Sequence, residues 1–406
     1  MNERFFKNKI ILYIIGNIGY LFGIWLISVI TANILGYSDA GKLSLAFTIA
    51  NIIFVLASFG IRAFQISDIT NKYSNETYII ARYITTVISF FISLIVCIIL
   101  RYNLGQIFSI QLFVIYKCLE AISDVYHGIL QKNNKLEIAS KSLLCKGILS
   151  IIVFTVSASL FHNLNIALIS IVLIAYAILM LYDIPKSCYR NLSVINNTSY
   201  SKLEIIHLLK ETSVMMLFML GVPLITAIPR TYLEKSYSEE LLGIYSSVSN
   251  PSIIISTFAS SILVPFLPKW SELHLRQEKK QLLKHFLTPT VLIVFVGLIS
   301  LAGSEIFGKF ILKVLYGNSV LEYAPLLNGV VIMTSITAIL MCFNNLMVAI
   351  RHLKALLGFT LLGCLFCTVF TFYFVANYSV YGVTYTMSIA QTIQILIMLF
   401  YLKKKL

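Results

Sequence analysis

The sequence predicts an all-α polytopic membrane protein, with about twelve transmembrane helices in two six-helix lobes. Three observations predict it. The 406-residue chain is 58% hydrophobic, with a mean hydropathy of +0.88. Its apolar residues fall into long runs of roughly 20 residues, the length a helix needs to cross the hydrocarbon layer. Its 31 Lys+Arg outnumber 17 Asp+Glu and concentrate in every second gap between those runs.

The runs lie near 10–35, 42–66, 80–100, 106–130, 140–161, 164–184, 210–230, 242–268, 286–311, 322–350, 355–376 and 380–402. Strands of a closed barrel would be about 10 residues long and alternate in polarity. These runs do neither, so they read as helices. The first exceeds the 7–15 residues of a signal-peptide core and lacks a small-x-small cleavage site, so it reads as a retained span.

Orientation follows from the basic residues. One set of gaps holds Arg4, Lys7 and Lys9; then Arg62, Lys72 and Arg82; then Lys132, Lys135, Lys141 and Lys146. The same side continues with Lys186, Arg190, Lys202 and Lys210; with Lys269, Arg276, Lys279, Lys280 and Lys284; and with Arg351, Lys354, Lys403, Lys404 and Lys405. The opposite side holds Lys42, Arg101, Arg230, Lys235, Lys309 and Lys313, and Lys117 lies inside a span. This asymmetry places both termini in the cytoplasm. The net charge of +14 is thus mostly topological, and no nucleic-acid partner follows from it.

The longest polar connection, 185–209, divides an N-terminal six-helix lobe (1–184) from a C-terminal one (210–406). Ser201-Lys202-Leu203-Glu204 within it has capping-box form and predicts a short helix leading into span seven. Sliding span two onto span eight pairs Gly41 with Gly243, Ser44 with Ser246, Ile52 and Ile53 with Ile254 and Ile255, Ala57 and Ser58 with Ala259 and Ser260, and Phe64 with Phe266. Parallel repeats would put a site between the lobes at mid-membrane. Gly221, Pro223 and Pro229 interrupt span seven, Asn250-Pro251 interrupts span eight, and Pro265 and Pro268 end it. Two readings stand for these breaks: fixed kinks satisfied by neighbouring helices, or bending during transport. The seven cysteines lie mostly in spans, and Cys364-x-x-Cys367 sits mid-helix without ligand partners, which predicts packing rather than metal or redox chemistry.

The sharpest constellation is in span four. Lys117, Glu120, Asp124 and His127 are spaced by three, four and three residues and stack on one helical face. Ionisable groups at bilayer depth must be paired or face water. The stripe is therefore either a Lys117–Glu120 pair fixing helix packing, or the lining of a transport path in which Glu120, Asp124 or His127 couples transport to a proton or sodium ion. Arg62 and Arg230 end spans two and seven. Arginine is a planar donor fork suited to phosphate oxygens, although an arginine at the interface also snorkels. Asn17, Asn51, Asn250, Asn344, Asn345, Gln391 and Gln394 suit sugar hydroxyls or interhelical hydrogen bonds equally. No phosphate loop, dinucleotide fingerprint, zinc-protease or nucleophile-elbow motif is present, so neither an enzyme nor a cofactor is expected, and energy would come from an ion gradient or the membrane potential.

Leu35-Gly36-Tyr37-Ser38-Asp39-Ala40-Gly41 leads into span two, which ends Ser58-Phe59-Gly60-Ile61-Arg62. Leu242-Gly243-Ile244-Tyr245-Ser246 opens span eight, which ends Val264-Pro265-Phe266-Leu267-Pro268. Leu315-Tyr316-Gly317 precedes Glu322-Tyr323 and span ten, and Asp124 is followed by Gly128 and Gln131. Together, over essentially the whole chain, these resemble the polysaccharide-transporter branch of the MOP superfamily, the Wzx-type flippases of O-antigen and capsule repeat units. The resemblance implies two MATE-like lobes around a central cavity, in the bacterial inner membrane, moving undecaprenyl-pyrophosphate-linked oligosaccharide. Arg62, Lys117 and Arg230 are the candidate cavity cations, and a polysaccharide polymerase is an expected partner. Glu120 and Asp124 depart from a purely cationic cavity. Multidrug exporters and lipid II flippases are alternatives within the fold. A membrane-embedded polymerase would need a large outer loop or an acidic cluster, and neither is visible.

Overall fold

The computed structural model describes residues 3–68, 72–188, 201–263 and 266–405. Arg190, Pro265 and the middle of the 185–209 connection lie outside the described residues, as do the side chains of Arg4, Lys7 and Lys9. By contacts the chain forms two compact units, Met1–Leu220 and Gly221–Leu406.

The first unit holds α1 (Glu3–Ile34), α2 (Tyr37–Ser58), the short α3 (Ile61–Ser67), α4 (Asn75–Ile99), α5 (Leu104–Lys132), α6 (Leu136–Phe161) and α7 (Leu164–Ile178). A π-helical turn, Leu179–Asp183, joins α7 to α8 (Ile184–Cys188). α9 (Lys202–Ser236) begins in this unit and ends in the next. The second unit continues with α10 (Glu239–Ser249), a 3-10 turn at Asn250–Ser252, and α11 (Ile253–Leu263). Then come α12 (Leu267–Leu275), α13 (Lys279–Tyr316), α14 (Leu326–Ala349) and α15 (Leu353–Lys405).

Ten of the described helices are long and apolar enough to cross a membrane. Two details bring the number of spans to the expected twelve. α10 and α11 form one span broken at Asn250-Pro251. The 53 residues of α15 would extend about 80 Å at 1.5 Å per residue, more than twice the hydrocarbon thickness. They are two helices that reverse at Ser379 (φ 51°, ψ −124°). Beyond the reversal Thr386 Oγ1 reaches back to the Phe370 carbonyl.

α4 shows how the outside differs from that of a soluble protein. Its exposed face carries Val87, Ile88, Phe91, Ile95 and Ile98, while Arg82, Thr85, Thr86, Ser89 and Ser93 are buried. Apolar outside and polar inside is the pattern that lipid dictates.

The units repeat one packing plan. In the first, α1 packs on α6, α2 on α5, and α4 on both α2 and α5. In the second, α9 packs on the first half of α15 through Cys364 and Cys367. There α10 and α11 pack on α14, and α13 packs on α11 and α14. Gly41 and Gly243, Ser44 and Ser246, Ile53 and Ile255, and Ala57 and Ala259 are buried at the matched positions. Ile254 and Ser260 are exposed where Ile52 and Ser58 are half-buried and buried, so those two pairs do not correspond in environment.

Two expectations are corrected. Ser201 caps α9, its hydroxyl accepting from the Leu203 amide at 3.2 Å, but no separate short helix follows. The 35-residue α9 runs unbroken through Pro223 and Pro229. A helical proline lacks the N–H that would bond the carbonyl four residues back. For Pro229 that carbonyl is Ile225, and the Cys367 thiol donates to it at 3.2 Å. The neighbouring helix thus meets the need created by the proline, and the C-x-x-C is a packing motif. Cys367→Ser, which keeps a donor, is expected to unfold at the wild-type temperature in detergent. Cys367→Ala should lose about 1 kcal/mol, seen as a lower melting midpoint.

The α3–α4 connection is tied by Asp68, whose carboxylate accepts from the amides of Lys72 (2.9 Å) and Tyr73 (3.2 Å) and from the Tyr78 hydroxyl (2.9 Å). Burial would raise the pKa of this carboxyl, but these donors and the Lys132 charge outweigh it and hold it below its ordinary value. A depressed folded-state pKa gives stability that is complete above the ordinary carboxylate pKa, about 4, and is lost as pH falls through the lower folded value. Asp68→Asn is therefore expected to be about 1–3 kcal/mol less stable at neutral pH. The gap to wild type should narrow below pH ~4 in melting curves taken across that range.

Candidate functional site

The buried polar groups of the first unit are organised around α5. Asn103 and Gln106 start that helix with a reciprocal capping box, and its stripe then meets a different element at each turn. At mid-helix Lys117 Nζ lies 2.7 Å from Glu120 Oε2. The Tyr20 hydroxyl of α1 donates to the other Glu120 oxygen. Rings of Tyr20, Phe47, Phe54 and Tyr116 stand 5.7–5.9 Å from the Lys117 ammonium. An ammonium held by one carboxylate and ringed by aromatic faces is fully engaged.

One turn further, Asp124 bridges two arginines. Its Oδ1 is 2.5 Å from Arg62 Nη1 of α3, and its Oδ2 is 3.1 Å from Arg82 Nη2 of α4. Arg62 Nη2 also donates to the Tyr13 hydroxyl (2.8 Å) and to Gln131 Oε1 (3.1 Å). Arg82 donates to the Ala57 carbonyl at 3.3 Å, and its Nε has no partner among the described residues. The side chains of Arg62 and Asp124 are 21% and 18% exposed, whereas that of Arg82 is 0% exposed.

The third group is sealed. His127 Nε2 is 3.2 Å from Asp183 Oδ1, and Lys146 Nζ is 2.8 Å from Asp183 Oδ2 and 2.6 Å from the Ser123 hydroxyl. Asp183 ends the π-helical turn, whose extra residue re-aims the side chains that follow it.

Local backbone choices bring these groups together. After α2 the chain takes left-handed conformations at Phe59 (φ 49°) and Gly60 (φ 67°). This break starts α3 in a new direction and puts Arg62 beside Asp124. On the other side α1 approaches α6 closely enough that a Cβ on Gly23 would lie 3.0 Å from the Gly147 carbonyl oxygen. Small residues permit that approach, and it brings Tyr13 and Tyr20 to α5. Gln65 lies on Gly128, where a Cβ would overlap its amide.

Of the sequence-derived candidates, Arg62, Lys117, Glu120, Asp124 and His127 all meet in the first unit. Arg230 is in the second, 5.4 Å from the Tyr245 ring centroid, with Nε unpartnered. Of the polar span residues, Gln391 accepts from Thr337 at 2.8 Å between helices, and Asn345 bonds its own helix at Met341.

Charge counting placed Arg82 and Lys146 in connecting loops, and the structure overturns both. They lie within α4 and α6 with side chains 0% and 3% exposed. Their pattern was readable: Arg82, Thr85, Thr86, Ser89 and Ser93 make a polar stripe, as do Ser142, Lys146 and Ser150. Asp183 had no such stripe, being a single acid at the end of an apolar run.

No family model matches the chain. The fold is that of the two-lobed transporters of the MOP superfamily. An inward-facing multidrug-resistance MATE transporter of that superfamily aligns with a TM-score of 0.73 at 14% identity, covering 95% of this chain and 94% of that one. The lipid II flippase MurJ, in an inward closed conformation, aligns with a TM-score of 0.74 at 16% identity, covering 97% of this chain and 87% of MurJ. In sequence, the chain is 27% identical over 387 residues to the capsular polysaccharide biosynthesis protein CapF of Staphylococcus aureus, covering 90% of this chain and 91% of CapF.

Removing one member of a buried charge group strands the others. Asp124→Ala is expected to lose about 3–5 kcal/mol because Arg82 stays buried without its carboxylate. The double variant Arg82→Met with Asp124→Ala should recover most of that loss in thermal unfolding, giving a large coupling energy in the cycle.

Proposed function

We propose that the protein is a flippase of the bacterial inner membrane, moving undecaprenyl-pyrophosphate-linked oligosaccharide repeat units by alternating access. The observation that carries this reading is the near full-length similarity to a capsular polysaccharide biosynthesis protein, on a fold shared with a lipid II flippase. A pyrophosphate with attached sugars cannot cross hydrocarbon without partners, because each unpaired charge or hydroxyl loses its hydration. Arg62, Lys117 and Arg230 are the cations proposed to offset that loss.

Arg62 is the strongest of the three, since Lys117 is already held by Glu120 and the surrounding rings. Glu120, Asp124 and His127 are the groups proposed to couple transport to a proton or sodium gradient. A change of ionisation in any of them alters a buried pairing and with it the packing of α5 against its neighbours. Both termini would face the cytoplasm, and a polysaccharide polymerase would receive the translocated units. The alternative of a multidrug exporter fits less well, because the buried groups around α5 carry more positive than negative charge and would repel an organic cation.

Arg62→Ala and Lys117→Ala are each expected to abolish surface polysaccharide in a host lacking its own flippase, with normal membrane insertion by immunoblot. Normal polysaccharide from both variants would rule out the cationic path. In proteoliposomes, transport should respond to an imposed proton or sodium gradient. Indifference to both would remove Glu120, Asp124 and His127 from coupling.

A further inference from the structure

Among the described residues, the buried charges around α5 do not balance evenly. Lys117 and Glu120 cancel. Lys146 and Asp183 cancel. Arg62 and Arg82 share the single carboxylate of Asp124, so the surplus positive charge sits there. The donors are in surplus as well: Arg82 Nε–H is buried with no acceptor. The Tyr13 hydroxyl accepts from Arg62 and still has its own proton to give.

We propose that Arg62 and Arg82 form a site for a phosphate-type anion, and that Asp124 is an internal competitor which the anion displaces from Arg62. The carboxylate gives one oxygen to each guanidinium, as a bridging phosphate oxygen pair would. Displacement strands no charge. Asp124 stays on Arg82, which is fixed within α4 and also held by the Ala57 carbonyl. Arg62, on the seven-residue α3 beyond the Phe59–Gly60 break, pairs with the incoming anion. Arg62 and Asp124 are the partly exposed members of the group and Arg82 the sealed one, which is the arrangement that exchange requires. Asp124 then sets the affinity: it keeps the arginines paired while the site is empty and weakens anion binding enough for release. The proposal deepens the flippase reading and rests on it for the biological source of the anion, a lipid-linked diphosphate.

The probe is inorganic pyrophosphate, titrated calorimetrically into the purified full chain in uncharged detergent at constant ionic strength. Wild type should bind saturably. Arg62→Gln, which leaves Arg82 paired with Asp124, should bind at least about tenfold more weakly. Asp124→Asn should bind about tenfold tighter or more, the scale expected on removing a like charge a few ångströms from the anion. If Asp124→Asn is unstable, Asp124→Ser purified with pyrophosphate and then desalted serves the same comparison. Equal affinity in wild type and the charge-free variant overturns internal competition. Undiminished binding by Arg62→Gln, or no saturable binding by any form, overturns the site. In nanodiscs, competition by a polyprenyl phosphate assigns the site to a lipid headgroup, and competition by orthophosphate alone assigns it to a soluble anion; either result supports the site. Arg62-dependent pyrophosphate binding by a wild-type chain that fails to restore export in a host lacking its own flippase would leave the site standing and sink the flippase reading. Restored export by a wild-type chain that binds no pyrophosphate would do the reverse.

Discussion

Every charge buried among lipid-facing helices has to find its partner within the protein, and the first unit is arranged around that constraint. α5 carries four ionisable residues along one face, and no hydrocarbon neighbour can satisfy them. Lys117 pairs with Glu120 on the same helix, and the other three are met by different elements: Glu120 by Tyr20 of α1, Asp124 by Arg62 of α3 and Arg82 of α4, and His127 by Asp183 of the π-helical turn. Lys146 of α6 closes the last group. Apolar packing alone would distinguish poorly between helix and lipid, since both are equally oily. Paired charges supply the specificity that burial cannot.

The second unit solves the same problem for the backbone. Pro229 removes an N–H from α9, and the neighbouring helix returns a donor through Cys367. The break at Asn250-Pro251 is absorbed by one turn of 3-10 helix, and the Ser252 hydroxyl there meets Thr334 of α14 at 2.9 Å. Both units share one packing plan, yet the charged stripe of α5 has no counterpart on α14. α14, which holds the place of α5, carries polar side chains but no charged residue. The repeat therefore conserves the scaffold and not the stripe; in the second unit Arg230 and the buried Glu234 lie on α9 instead.

The balance of charges within the stripe bears on the proposed transport. A strongly cationic site would bind a diphosphate too tightly to let it go, and a neutral one would not compensate its desolvation. Two arginines on one carboxylate lie between these limits. Lys117, held by Glu120 and its aromatic surround, is less available to cargo than Arg62.

The spans and the α5 stripe were legible in the sequence, because helical period and apolar length are local properties that lipid enforces residue by residue. Helix ends at Ser74, Asn103 and Ser238 follow local capping chemistry. What each charge does was not local. Arg82 and Lys146 look like loop cations when counted along the chain, and only the packing of α4 and α6 against α5 turns them into buried partners. Asp183 gains its role from a π-helical turn that no spacing announces, and Arg62 from a left-handed break that aims α3 at α5. The sequence by itself determined which segments span and which face of each is polar. The tertiary structure decided which charges cancel and which stay in surplus, because pairing depends on distances between helices far apart in the chain.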